Sequence, residues 1–231
     1  MTILALEFSS PQRSVAVARA GRVLAEVIET DAGLHSGQTT GSSSRPAGGT
    51  EAFGLIEGGL REAGLEREQI EVLAVGLGPG SYTGVRAAIS MAQGWQLARG
   101  TKLLGAGSMD CLAAQAQAER VFGRVDMIVD AQRNEFYLAA YEISAESWKA
   151  IEPLRIVTAD EIQSRAEARE ILAGPEVIRW FPGGRTLFPR AAALARLADR
   201  REDFVAGEKL EPIYLRESNF VKTPLRKSAA H

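Results

Sequence analysis

Apolar and polar positions fall into short blocks at the start of the chain. The run at residues 3–8 (ILALEF) stops at Ser9-Ser10-Pro11, residues 14–19 (SVAVAR) resume with β-branched side chains, and Ala20-Gly21-Arg22 reverses the chain into residues 23–30 (VLAEVIET). Three short runs divided by Ser, Pro and Gly predict an antiparallel meander. The character changes at residues 31–50, where Gly, Ser and Thr dominate and large apolar residues are scarce, which reads as a flexible loop. The period then becomes helical: Phe53, Ile56 and Leu60 recur at spacings of three and four over 51–63, with Thr50 as N-cap. Gly58 and Gly59 each weaken such a helix by roughly 1 kcal/mol relative to Ala, which favours a helix held by close packing.

A strand at 71–77 (EVLAVGL) leads through a glycine-rich loop into a helix over 85–98, with Val85, Ile89, Ala92 and Trp95 along one side and Arg99-Gly100 at its end. A short strand follows at 102–106, and Ser108 caps a helix over 109–119. The second half opens like the first: a strand at 125–130 (VDMIVD), a turn at AQRNE, a strand at 136–143 (FYLAAYEI) and short strands near 147–157. Thr158 caps a helix to about 166, residues 170–173 and 177–180 read as strands around Gly174-Pro175, and Pro189 starts a helix through AAALARLADR. Beyond Arg216 the mixture of Asn, Pro, Lys and Arg reads as a poorly ordered tail. The pattern predicts an α/β protein of two similar halves: an N-terminal lobe over 1–106, a C-terminal lobe over 107–215 and a tail over 216–231.

Composition narrows the chemistry. With 231 residues, 45% hydrophobic and 24% charged, the chain has enough apolar mass for a folded core. A net charge of −2 argues against a basic nucleic-acid binder. One cysteine, Cys111, excludes an intrachain disulfide and a zinc site built on Cys pairs; two histidines, His35 and His231, leave almost no scope for His-based metal or triad chemistry. The N-terminal MTILALEF reaches Glu7 with no basic segment, so no signal peptide is expected. No apolar run approaches the roughly 20 residues of a membrane-spanning helix, and the cytoplasm is the expected compartment.

The strongest local signal is Gly76-Leu77-Gly78-Pro79-Gly80-Ser81-Tyr82-Thr83-Gly84, set between a strand and a helix. Glycine there permits positive φ and close backbone approach, and a helix N-terminus favours anions, so the loop reads either as a phosphate cradle or as a tight packing turn. It lacks the Gly-Lys-Ser/Thr ending of a P-loop, and Thr83 stands where the dinucleotide fingerprint needs glycine, which favours the packing turn. Thr83 also breaks the Gly-x-Ser-x-Gly elbow that a nucleophilic Ser81 would need. Cys111, among Met109, Leu112 and Ala113, reads as a small core residue. Glu7, next to Ser9 and Ser10, and Asp130 close corresponding strands of the two halves. Together they could hold a Mg²⁺–phosphate complex between lobes; singly, each would cap its own turn. Arg13 and Arg86 read as anion contacts or as solvated charges, and Arg216, Lys222, Arg226 and Lys227 as an RNA contact or a solvated run.

An apolar first strand ending in an acid and serines, then GLGPGSYTGVRAAISMAQGWQLA, LLGAGSMDCLA, VDAQRNEFYLAAYE and EPIYLRE, together resemble the TsaB family over essentially the whole chain, from Ile3 to Arg216. The most specific parts are Gly78–Arg86, similar to the family's Gly-Pro-Gly-Ser-aromatic-Thr-Gly-Val-Arg, and Asp130–Tyr137. The resemblance implies an actin-like, sugar-kinase-like fold of two lobes, each a mixed sheet flanked by helices, carrying a Gcp-like domain. It implies a non-catalytic partner of TsaD, the enzyme that places a threonylcarbamoyl group on adenosine beside the tRNA anticodon. TsaE, an ATPase, is the further implied partner. The resemblance also implies self-association through the same helices when TsaD is absent, and tRNA reached through the complex. No cofactor is expected in this chain, ATP and metal being used by the partner subunits, and the HxxxH metal pair of TsaD has no counterpart here.

The expected partner surface is the helix pair 51–63 and 85–98, with Phe53, Ile56, Ile89 and Trp95 as apolar area, Gly58, Gly59 and Gly94 as points of close approach, and Arg86 beside them. Glu7 stands where the family has Asp, Gln132 where it has Arg, and Gly48-Gly49-Thr50-Glu51 where it has His-Ser-Glu. The alternative from the residues is an actin-like phosphotransferase acting alone on Mg-ATP through Glu7, Ser9 and Asp130.

Overall fold

A computed structural model describes residues 1–29 and 49–215. Of the loop reading over 31–50, residues 31–48 lie outside the described residues, while Gly49 and Thr50 are helical; the tail reading over 216–231 also lies outside them.

Three strands form the opening meander: β1 (Thr2–Glu7), β2 (Ser14–Arg19) and β3 (Arg22–Ile28). The chain continues through α1 (Gly49–Ala63), β4 (Val72–Gly76), α2 (Tyr82–Arg99) and β5 (Lys102–Ala106), with β4 parallel to β1 and β5 parallel to β4. The first sheet therefore has the order β3-β2-β1-β4-β5. The second half supplies α3 (Ser108–Ala118), β6 (Gly123–Asp130), β7 (Glu135–Ile143), β8 (Trp148–Thr158), α4 (Ala159–Glu167), β9 (Ile171–Gly174), α5 (Val177–Trp180), β10 (Arg185–Thr186) and α6 (Ala191–Ala198). Its sheet has the order β10-β9-β6-β7-β8, the same arrangement built again. In each, an antiparallel meander gains two parallel strands beyond its first strand. This is the two-lobed, actin-like α/β organisation, two mixed sheets flanked by helices.

Strand periodicity explains the layering. On one face of the first sheet, Leu4, Leu6, Val15, Val17, Leu73 and Val75 pack against α1 and α2 through Leu55, Ile56, Leu60, Val85 and Ile89. On the other face the row is small, Ala5, Ala16, Ala18 and Ala74, and it meets Ala191, Ala195 and Ala198 of α6. Alanine on both sides lets helix and sheet approach closely, and the pleat sends alternate residues to opposite faces. Helix α3 bridges the lobes. Cys111 faces the α6 side, whereas Met109, Leu112, Ala113 and Ala116 pack on Val125, Met127, Tyr137 and Tyr141 of the second sheet.

The structure corrects several sequence expectations. Helix α1 begins at Gly49, so Thr50 lies within its first turn rather than capping it. Helix α2 begins at Tyr82, capped by the Ser81 hydroxyl, which accepts from the Gly84 N–H at 3.2 Å. Ser108 is the first residue of α3 and Gly107 its N-cap, because the Ser108 hydroxyl is engaged elsewhere. Residues 147–157 give one eleven-residue strand, β8, in place of several short ones. Residues 177–180 are helical: Val177 and Phe181 bury together four residues apart, and the Phe181 N–H bonds to the Val177 carbonyl at 2.8 Å. Helix α6 starts after Arg190 rather than at Pro189. The division near residue 106 separates the strands of the two sheets but not their packing. Helix α6 covers the first sheet, Val205 bridges to Leu103, and Leu210 enters the first core. Among the described residues, no helix is long and apolar enough to cross a membrane.

Candidate functional site

The glycine loop is built by backbone packing. A Cβ on Gly80 would stand 2.0 Å from the Ser9 carbonyl oxygen, and one on Gly84 would stand 2.0 Å from the Phe8 carbonyl oxygen. The Ser81 N–H donates to the Ser9 carbonyl at 2.7 Å. The loop thus lies directly on the β1–β2 turn, and no side chain fits between. Together they form one wall of a cleft of about 390 Å³ between the lobes, through Ser9, Ser10, Ser81, Tyr82 and Thr83. The opposite wall carries Asp130, Gln132, Phe136, Glu176 and Trp180.

Ser9 and Asp130 therefore face the same cleft, but Glu7 does not join them. Its carboxylate is fully buried, accepts the Ser9 N–H at 2.9 Å and the Ser108 hydroxyl at 3.0 Å, and lies where a Gly76 Cβ would clash at 2.0 Å. Ser108 in turn accepts the Gly78 N–H at 3.1 Å. Glu7 ties the ends of β1 and β4 to the start of α3. The Asp130 carboxylate accepts the Gln132 N–H at 2.6 Å, closing its own turn. With one acid withdrawn and the other engaged locally, the pair does not fit a Mg²⁺–phosphate complex. Among the described residues, no three of His, Cys, Asp and Glu converge on a metal-sized site.

Burial pushes the Glu7 carboxyl above its ordinary range, against the opposing pull of the Ser9 and Ser108 hydrogen bonds. Cys111 also hydrogen-bonds to it; burial, and then the nearby Glu7 and Asp110 charges, push the Cys111 thiol well up. A carboxyl whose folded pKa exceeds its unfolded one stabilises the fold at low pH, and that contribution is lost as pH rises through the folded value. Glu7→Gln should accordingly raise the melting temperature at pH 8 and leave it nearly unchanged at pH 4, read by thermal denaturation at both pH values.

The expected partner surface is partly turned inward. Ile56 and Ile89 belong to the first core, and Cβ atoms on Gly58 and Gly59 would meet Val27 at 3.6 Å and Val15 at 3.4 Å. These four residues pack on the chain's own sheet, and Trp95 is half-buried against the same core. Phe53 is 57% exposed, and Gly94 faces open space. Arg86 sits over the Tyr82 ring at 4.5 Å. Sequence reasoning missed Leu97, which is 88% exposed on α2. Its signal was present: it is a large apolar residue off the Val85, Ile89 and Ala92 stripe. Also missed was the role of residues 207–214. Gly207 is pinned by Gln93 and Gln96 of α2 at 2.9 and 2.8 Å, the Ile213 N–H donates to the Leu77 carbonyl at 2.8 Å, and the Tyr214 ring stacks on Tyr82 at 5.3 Å. This segment straps α2 and the glycine loop together.

A family model described as TsaD, tRNA N6-adenosine threonylcarbamoyltransferase, matches residues 51–205. A protein from Escherichia coli (strain K12) named tRNA threonylcarbamoyladenosine biosynthesis protein TsaB is 26% identical over 181 residues, covering 71% of this chain and 78% of its own. A Haemophilus influenzae protein of the same name is 26% identical over 196 residues, covering 74% of this chain and 81% of its own. The solved structure of YeaZ from Pseudomonas aeruginosa superposes with a TM-score of 0.72 at 25% identity, covering 93% of this chain and 99% of that one.

Proposed function

This chain belongs to the TsaD family of tRNA N6-adenosine threonylcarbamoyltransferases and, within it, to TsaB; from that premise we propose that it is the non-catalytic partner of TsaD in N6-threonylcarbamoylation of adenosine beside the tRNA anticodon. The observation that carries this reading is a cleft whose two candidate acids are not brought together, on a fold shared with YeaZ over 93% of the chain. On this reading the chain supplies a surface rather than chemistry. ATP and metal belong to partner subunits, TsaE joins as a further partner, tRNA is reached through the complex, and the whole works in the cytoplasm. The surface is the outward side of α1 and α2, where Phe53, Gly94 and Leu97 are free of the chain's own sheet. The same side serves self-association when TsaD is absent. A phosphotransferase acting alone would require Mg-ATP on Glu7 and Asp130, and the burial of Glu7 gives that reading no support.

Exposed apolar anchors at protein interfaces each contribute about 2 kcal/mol or more when central, roughly a thirtyfold change in Kd. Phe53→Asp and Leu97→Asp are each expected to weaken TsaD binding by about that factor, with the melting temperature within a few degrees of the parent. Titration calorimetry against purified TsaD, with thermal denaturation alongside, checks both. Unchanged affinity in both variants places the interface elsewhere.

A further inference from the structure

Residues 205–214 run along one flank of α2 and are fastened toward both of its ends. Toward the C-terminal end, the Gln93 carboxamide donates to the Gly207 carbonyl at 2.9 Å, and the Gly207 N–H donates to the Gln96 carboxamide oxygen at 2.8 Å. The approach is close: a Cβ on Gly207 would stand 3.0 Å from Gln93 Cγ and 3.1 Å from the Gln96 oxygen. Toward the N-terminal end, the Tyr214 ring stacks on Tyr82 at 5.3 Å, and Arg86 lies over the same Tyr82 ring at 4.5 Å. The Ile213 N–H donates to the Leu77 carbonyl at 2.8 Å. Leu210 is buried in the first core between these points, and Val205 anchors the start through its bridge to Leu103.

This strap has little slack. From Gly207 to Tyr214 the chain reaches about 24 Å at full extension, and from Tyr82 to Gln96 the helix rises about 21 Å. Its seat borders the outward side of α2. Gln93 and Leu97 are four positions apart, so they lie one above the other on the helix, and exposed Gly94 comes next around it. The helix is held to the sheet through Val85, Ala88, Ile89 and Ala92, whereas Gly94 meets nothing within 4 Å. A binding surface on a helix that can shift must be ordered when its partner arrives, and that ordering subtracts from affinity.

We propose that Gln93 and Gln96 are positioning residues for the TsaD-facing surface: by clipping residues 205–214 along α2, they hold Gly94 and Leu97 in the orientation the partner takes. This rests on the partner role. It also gives work to Tyr82 and Arg86, side chains of the glycine-rich motif that the backbone packing of Gly80 and Gly84 leaves unused.

The test compares Gln93→Ala, Gln96→Ala, Gln93→Glu and Gln96→Glu by titration calorimetry against purified TsaD, with amide hydrogen exchange on the free chain. Each alanine variant is expected to bind about tenfold more weakly. The two glutamates add the same charge to the same helix and differ only in the bond they make. Gln96→Glu keeps the acceptor and should restore most of the affinity lost in Gln96→Ala. Gln93→Glu sets a carboxylate against the Gly207 carbonyl and should bind no better than Gln93→Ala. Exchange at the Gly207 and Ile213 amides should rise about tenfold or more in the weak variants and return toward the parent in Gln96→Glu, with the Ala88 and Ala92 amides inside α2 unchanged. Alanine variants that exchange faster yet bind TsaD as the parent does, while Leu97→Asp binds weakly, overturn the positioning role and leave the partner role standing. Unchanged exchange in the alanine variants, or equal affinity of the two glutamate variants, overturns it as well. If Leu97→Asp itself binds as the parent does, the partner surface is misplaced and the positioning role falls with it.

Discussion

Replacing Arg165 by alanine should destabilise the fold by about 3–5 kcal/mol, the cost of leaving a buried acid without its cation. Arg165 lies in α4 and reaches Asp126 at 3.2 Å, Glu152 at 2.7 Å, Glu161 at 3.2 Å and Glu170 at 3.4 Å. The Asp126 side chain is wholly inaccessible, and Arg124, the other cation near it, comes only within 3.9 Å while pairing with Glu152 and Glu170. Burial and the hydrogen bond to Glu170 already lift Asp126 to about 6, against the pull of Arg165. A carboxyl raised in this way loses stabilising effect as pH climbs through its folded value, so the deficit of Arg165→Ala should be larger at pH 8 than at pH 5. Glu152 behaves oppositely. Arg165 and Arg124 hold it down at about 2, so its contribution is present above the ordinary carboxylate range and fades as pH falls toward 2. Urea denaturation at the two pH values reads the effect. Adding Asp126→Asn to the alanine variant should recover much of the loss, because no buried charge then remains unbalanced.

Gly84→Ala should cost about 3 kcal/mol, at the upper end of what overpacking a tight site costs. The added methyl would stand 2.0 Å from the Phe8 carbonyl oxygen and 3.1 Å from the Ser81 hydroxyl, so α2 must lift off the β1–β2 turn or the turn must open. Gly94→Ala, ten residues along the same helix with nothing within 4 Å, should instead be neutral or mildly stabilising, since alanine is the better helix former. Thermal denaturation of the pair separates a packing requirement from a general intolerance of α2. Equal melting temperatures for both variants would contradict the close approach.

The meander and its repetition were legible because alternation and Gly/Pro punctuation mark short strands well, and Ile3–Leu6 or Met127–Val129 leave little choice of period. Val177–Trp180 was not, since four residues fit either period and only the burial of Phe181 beside Val177 decides. Gly58 and Gly59 signalled close approach, but sequence cannot say to what; the neighbours are Val27 and Val15 of the chain's own sheet. The candidate acid pair failed on parity. Glu7 shares a pleat row with Ile3 and Ala5, which faces the helices between the sheets, whereas Asp130 shares a row with Ile128, which packs toward α5. Equivalent strand ends thus aim their last side chains in different directions. The strap over Gln93, Gln96 and Leu77 joins residues more than a hundred positions apart and has no local signature.

The most direct test is reconstitution of tRNA threonylcarbamoylation from purified TsaD, TsaE and the carbamoyl-adenylate synthase with ATP, threonine, bicarbonate and unmodified tRNA, run with and without this chain. Modified adenosine is expected only when the chain is present, and with Phe53→Asp or Leu97→Asp it is expected to fall in step with the loss of TsaD affinity. Equal product with the chain omitted would contradict the partner role.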